Sequence, residues 1–152
     1  MYRKILVAYN GTPESRLALH ECVRLNPGER AEVHLLAVIT PLPIVLAGEF
    51  AAALPTVADE QAERRAMEQV LESGRQMLQN AGLHVITHLD VGDPPDIIAD
   101  MVNKLGIELV IVGHSRHKPF ALRWWRGAMD SLLVERVRCS VLVAADPQRA
   151  PA

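Results

Sequence analysis

The apolar residues of this chain come in short continuous runs, and the stretches between those runs carry helical periodicity. Ile5-Leu6-Val7-Ala8, Val33 to Ile39, Leu109 to Val112 and Val141-Leu142-Val143 are rich in β-branched residues and have no polar face to offer water. Runs of that length read as strands buried on both sides, as in a parallel sheet covered by helices. His84 to Val91 differs. Val85, Thr87, Leu89 and Val91 fall on one side and His84, Ile86, His88 and Asp90 on the other, the half-polar alternation of an edge strand.

The intervening helices have readable ends. Thr12-Pro13 supplies an N-cap and a proline at the first helical position, and Asn26-Pro27-Gly28 stops that helix. A second helix is expected from about Val57 to Ala81, with Met67, Val70, Leu71, Gly74, Met77, Leu78 and Ala81 as its apolar stripe. A third starts at Asp93-Pro94-Pro95-Asp96, with Asp93 as the cap and Asp96 in the place of a capping-box acid. Ile97, Met101 and Leu105 are its expected stripe and Gly106 its stop. A fourth begins near Gly127 and uses Met129, Leu133 and Val137. The order is β-α-β-α-β-α-β-α-β, for which right-handed crossovers make a doubly wound α/β sandwich the natural architecture.

A chain of 152 residues is long enough to bury one core, and 49% hydrophobic with 22% charged residues is ordinary globular usage. One domain over residues 1–145 is expected, followed by a flexible tail from Asp146 to Ala152. Cys22 and Cys139 both sit in apolar stretches, which fits buried thiols in a reducing compartment better than a disulfide scaffold. No run approaches the roughly 18 apolar residues of a membrane helix, and the N-terminus lacks a signal-peptide body. The expectation is a cytoplasmic protein with no membrane association.

The net charge of −2 is unevenly spread. Arg116, Lys118, Arg123 and Arg126 form an acid-free cationic segment, and the rest of the chain, with twelve basic and eighteen acidic residues, carries −6. That pattern points to a small anionic ligand near the segment and away from nucleic acid, which the acidic body would repel. In a doubly wound sheet, ligands bind beyond the carboxyl ends of the strands. Asn10-Gly11-Thr12 follows the first strand there, and Gly113-His114-Ser115-Arg116 the fourth, leading to Gly127-Ala128-Met129 at a helix start. Glycines admit close backbone approach, and free N–H groups at a helix start favour phosphate. Turn and helix-start chemistry alone also accounts for Gly113, Gly127 and Asn10-Gly11.

Lys4-Ile5-Leu6-Val7-Ala8 before a polar residue, glycine and hydroxyl, Gly92-Asp93-Pro94 before a helix, and Cys139-Ser140-Val141-Leu142-Val143 at the close occur in one order along the chain. In these motifs the chain resembles the universal stress proteins over nearly its whole length. The resemblance implies an open sheet of five parallel strands in the order 3-2-1-4-5 flanked by four helices, and a homodimer joined along the last strand. It implies binding of ATP or ADP, with adenine against Ala8 and the backbone of Val38, and ribose near Asn10 and Val112. Phosphates would meet Gly113, Ser115, Arg116, Gly127, Ala128 and Met129. The family's ATP motif is a glycine, two residues, a glycine, nine residues, and a glycine followed by Ser or Thr.

This chain keeps Gly113 and Gly127 but departs elsewhere. Arg116 stands in the second glycine position, ten residues separate it from Gly127, Ala128 replaces the hydroxyl, and Asn10 replaces an aspartate. Loss of the hydroxyl removes one neutral hydrogen bond, about 0.5–1.5 kcal/mol. Arg116 either fills the phosphate space or grips a phosphate with two bonds. The resemblance also covers members that have lost the motif and bind no ATP. The expected function is a nucleotide-responsive stress protein without efficient catalysis. The alternatives are a weak ATPase or phosphotransfer protein, and a dimeric interaction module without nucleotide.

Trp124 and Trp125 between Arg123 and Arg126 make Pro119 to Trp125 the first choice for a protein contact. The segment from Thr40 to Pro55 is apolar and too long for a routine connection, so it is a lid, a contact surface or a loop folded on the domain. The six histidines show no metal-ligand spacing, His84 and His88 standing apart on the edge strand. No metal is expected, and no catalytic pair of acid and base emerges.

Overall fold

A computed structural model describes residues 1–41, 57–114 and 129–145, with residues 129–132 described by their backbone alone. The elements are β1 (Lys4–Ala8), α1 (Pro13–Leu25), β2 (Glu32–Ile39), α2 (Val57–Asn80), β3 (His84–Val91), α3 (Pro94–Leu105), β4 (Leu109–Gly113), α4 (Met129–Arg136) and β5 (Ser140–Ala144). The five strands form one parallel sheet in the order β3-β2-β1-β4-β5. The doubly wound expectation holds in element order and strand order alike.

The continuous apolar runs occupy the three inner strands. β1 after Lys4, β2 after Glu32 and all of β4 are buried. The edge strands β3 and β5 are only partly covered, as the alternation in β3 foretells. Successive residues on each strand serve opposite faces. Ile5, Val7, Tyr9, Val33, Leu35, Leu109 and Ile111 pack with Ala18, Leu19 and Cys22 of α1 and with Leu71 and Leu78 of α2. Leu6, Ala8, Leu36, Val38, Val110 and Val112 pack with Ile98, Met101 and Val102 of α3 and with Leu133 and Val137 at α4.

Three local expectations need correction. The α2 stripe ends at Leu78, and Ala81 is exposed past the helix end, because the chain turns off at Gly82 with φ +86°. In α3 the buried set is Ile98, Met101 and Val102, while Ile97 and Leu105 are half-buried, so the face is centred one position further on. Asp93 is the N-cap by backbone, with Ile97 N–H donating to its carbonyl at 3.1 Å, but its side chain makes no cap bond. A cap side chain bonds the N–H of the second or third helical residue; Pro95 at the second has none, and the Asp93 side chain does not take up the Asp96 N–H at the third. Asp96 pairs instead with Arg136 of α4, tying the two helices on that face together.

Candidate functional site

The strand order reverses between β1 and β4, so their carboxyl ends border the crevice where doubly wound sheets take ligands. Tyr9, buried at the end of β1, is clamped by α2. A Cβ on Gly74 would stand 2.8 Å from the Tyr9 ring and 3.0 Å from Leu35, so only glycine lets α2 lie this close. Asn10 follows, half-buried, and Gly11 turns the chain with φ +86°.

Asn10, Thr12 and Ser15 share a closed set of hydrogen bonds. Thr12 donates from its backbone N–H (3.1 Å) and its hydroxyl (2.7 Å) to Asn10 Oδ1. Thr12 Oγ1 in turn accepts from the Ser15 N–H at 3.2 Å, which caps α1 as expected. The buried Ser15 hydroxyl donates to the Thr12 carbonyl (3.0 Å) and accepts from the Asn10 N–H (3.3 Å). Two donors on Oδ1 fix the orientation of the Asn10 amide, so Nδ2–H₂ is the end turned away from this network. An aspartate here would present an acceptor where Asn10 presents two donors.

Gly113 closes β4 and is buried against α1. A Cβ there would stand 1.8 Å from the Glu14 carbonyl oxygen and 3.1 Å from Ser15 Cα. The first turn of α1 thus occupies the space a side chain would need, which is a packing reason for the glycine independent of any ligand. The next N–H, that of His114, donates to the Ala144 carbonyl at 3.0 Å and continues the β4–β5 pairing. It is committed to the sheet.

Ala8, Val38 and Val112 are fully buried among the α3 and α4 side chains, so what they can offer a ligand is backbone. The structure therefore brings Ala8, Asn10, Val112 and Gly113 to the ends of neighbouring strands, with Val38 on β2 beside β1. Met129 opens α4. Ser115, Arg116, Gly127 and Ala128 lie outside the described residues, as do residues 42–56, Pro119 to Trp125 and the tail 146–152.

One polar constellation escaped the sequence reading. His34 on β2 and His88 on β3 face each other with Nδ1 and Nε2 at 2.9 Å and their rings stacked 5.2 Å apart. His34 pairs in register with Ile86, so His88 sits diagonally to it on the α3 side of the sheet. His34 is buried, and its Nε2 has no hydrogen-bond partner among the described residues. The Glu32 carboxylate stands 3.5 Å from that nitrogen, close enough for charge attraction and too long for a good hydrogen bond. Burial holds both rings below the ordinary imidazole value. Glu32 opposes this at His34, whereas Lys4 and His84 add to it; at His88 the His34 ring adds to it and Asp90 opposes. The available signal was a histidine inside an otherwise apolar buried strand. Its partner was not visible without the register.

Burial pushes the Cys22 thiol up to about 12 and raises Cys139 as well, which makes both poor nucleophiles. Among the described residues no three His, Cys, Asp or Glu side chains gather as a metal site. No helix among them is long and apolar enough to cross a membrane.

Comparison with known proteins agrees with this architecture. The chain is 27% identical to universal stress protein Sll1388 of Synechocystis, covering 93% of this chain and 97% of that one. It is 28% identical to universal stress protein A of Yersinia pestis, covering 93% and 90%. Among solved structures, hypothetical protein MJ0577 superposes with a TM-score of 0.72 at 23% identity, over 98% of this chain and 99% of that one. A universal stress family protein of Arabidopsis thaliana with AMP bound gives 0.68 at 16% identity, over 99% and 96%. A universal stress protein in complex with cAMP gives 0.64 at 17%, over 94% and 96%. The model of the universal stress protein family matches residues 1–145, and the chain belongs to that family.

Proposed function

We propose that this protein binds ATP or ADP at the crevice between β1 and β4 and acts in stress physiology by binding rather than by turnover. The observation that carries the reading is the fixed Asn10 amide beside the strand-order reversal, its Nδ2–H₂ turned out of a network that satisfies its oxygen. Relatives of the same fold hold AMP and cAMP, which supports an adenine nucleotide as the ligand class. Adenine would lie against Ala8 and the Val38 backbone and ribose beside Asn10 and Val112. The phosphates would run toward Gly113, Ser115, Arg116 and the α4 start at Gly127, Ala128 and Met129. Asn10 brings no charge for a metal, so the nucleotide would be held without one fixed by this side chain.

The reading includes a homodimer along β5, whose outer edge is unpaired among the described residues and whose Val143 is exposed. Sedimentation at micromolar concentration should give twice the chain mass. For the ligand, equilibrium dialysis at millimolar ATP or ADP should show retention, and mass spectrometry of the denatured purified protein should show co-purified nucleotide. Arg116→Gly tightens binding where the arginine plugs the phosphate space and weakens it where the arginine grips phosphate. Retention of neither nucleotide would leave the interaction-module reading, which the packing role of Gly113 already favours. ATP turnover above background that is lost in Gly127→Ala would favour the weak ATPase.

A further inference from the structure

We propose that His34 and His88 form an acid-sensitive latch that ties the edge strand β3 to β2 through one N–H···N bond. At 2.9 Å the two nitrogens share a single proton, since two N–H groups or two bare lone pairs cannot face each other there. The Glu32 carboxylate, 3.5 Å from His34 Nε2, favours the proton on that nitrogen. His34 Nδ1 is then the acceptor and His88 Nε2–H the donor. The remaining nitrogen of His88, Nδ1, is bare on a half-buried ring.

Protonation therefore proceeds in two unequal steps, which belong to the pair rather than to either ring. A first proton enters at His88 Nδ1, and the bond survives as a charge-assisted one. A second must enter at His34 Nδ1, the acceptor itself, and would set two cations against each other across 2.9 Å. That step opens the latch. The charged and titratable groups facing the pair are Lys4 on β1, Glu32 on β2, and His84 and Asp90 on β3. Lys4 is held over this face by donating to the Leu105 carbonyl of α3 at 3.0 Å. From α3, Ile98, Met101 and Val102 pack on this face, while Asp96, Asp100 and Lys104 are exposed. Neither Glu32 nor Asp90 is buried enough to neutralise a second charge on His34.

The sign follows from the lowered folded values of both rings. Between the unfolded value near 6.5 and the lower folded values, the open chain binds more protons than the closed one. The latch contributes fully above about pH 6.5 and is lost as pH falls through the folded values. With two rings involved, the opening constant of β3 rises by up to about 100-fold per pH unit within that window. β1 and β4 lack such a pair among the described residues, so the edge loosens before the centre of the sheet.

The test uses the whole protein labelled with ¹⁵N at histidine. At pH 7.5 a scalar coupling between His34 Nδ1 and His88 Nε2 is expected, with the His34 proton on Nε2. On acidification the two rings should titrate in separate steps, and β3 amide exchange, corrected for intrinsic rate, should accelerate at least tenfold more than that of β1. His88→Gln retains an amide N–H donor and leaves His34 as the one titrating ring of the pair, so the acid dependence of its β3 exchange should fall from up to about 100-fold to up to about 10-fold per pH unit. Independent single titrations of both rings near 6.5, or absence of the coupling at pH 7.5, overturn the proposal. So does equal acid acceleration in β1 and β3 of the unmodified protein, a result that needs no variant to fold.

Discussion

Two polar clusters sit in this molecule under opposite constraints. Asn10, Thr12 and Ser15 lie within six residues of one another, and each shared proton has an acceptor. His34 and His88 lie 54 residues apart, meet across two strands, and leave a buried nitrogen without a hydrogen bond among the described residues. The first cluster is built by a local turn and has no group that ionises near neutrality. The second is built by strand register and consists of groups that do. Local closure gives a fixed platform beside the crevice, whereas a long-range, incompletely satisfied pair makes the sheet edge responsive to its surroundings.

The severest challenge to this contrast is Gly113→Ala. The Asn10 network is a platform only while the first turn of α1 rests on β4, and a Cβ at residue 113 meets a backbone carbonyl that cannot rotate away. The expected cost is about 3 kcal/mol or more, as overpacking against backbone forces a shift of α1. Urea unfolding should show a lower midpoint with an unchanged slope. A loss below about 1 kcal/mol would mean that α1 is free to move and that the platform is not fixed.

A smaller effect tests the network directly. Thr12→Ala removes the cap of α1 and one of the two donors to Asn10 Oδ1, for about 1–2 kcal/mol. Because nothing in that cluster titrates between pH 5.5 and 7.5, the loss should be the same at both. A pH-dependent loss would erase the distinction between the two clusters.

The same distinction explains what could be read from the residues alone. Strand runs, the edge character of β3, the Thr12 cap and the burial of Cys22 each depend on neighbours a few positions away, and all were legible. The missing Asp93 cap bond was legible only in part, since Pro95 removes one of the two N–H groups a cap side chain can meet and Asp96 retains the other. Gly113 was conspicuous, but its contact with the Glu14 carbonyl depends on how α1 crosses β4. The histidine pair depends on His34 standing opposite Ile86, so that His88 comes within reach diagonally. No local pattern states a register between strands separated by a 24-residue helix.

The gentlest change is the most discriminating. Glu32→Gln removes the charge that favours a proton on His34 Nε2 while leaving shape and polarity in place. Glu32 is itself 42% exposed in its side chain, so the loss of stability at pH 7.5 should stay below about 0.5 kcal/mol. The tautomer is the sensitive quantity. In the unmodified protein the His34 proton resides on Nε2, and in Glu32→Gln the Nδ1–H form should become populated as His34 turns donor to His88. The carboxylate also raises the His34 value against burial, so its removal lowers that value further. A lower folded value widens the interval over which the open chain binds the extra proton, and acid should then destabilise the variant more than the unmodified protein. Roughly 1 M salt should move the unmodified protein part of the way toward the variant, because an exposed charge is screened at that concentration. An unchanged ¹⁵N tautomer pattern in Glu32→Gln would show that the direction of the shared proton is set within the pair, and that Glu32 has no part in it.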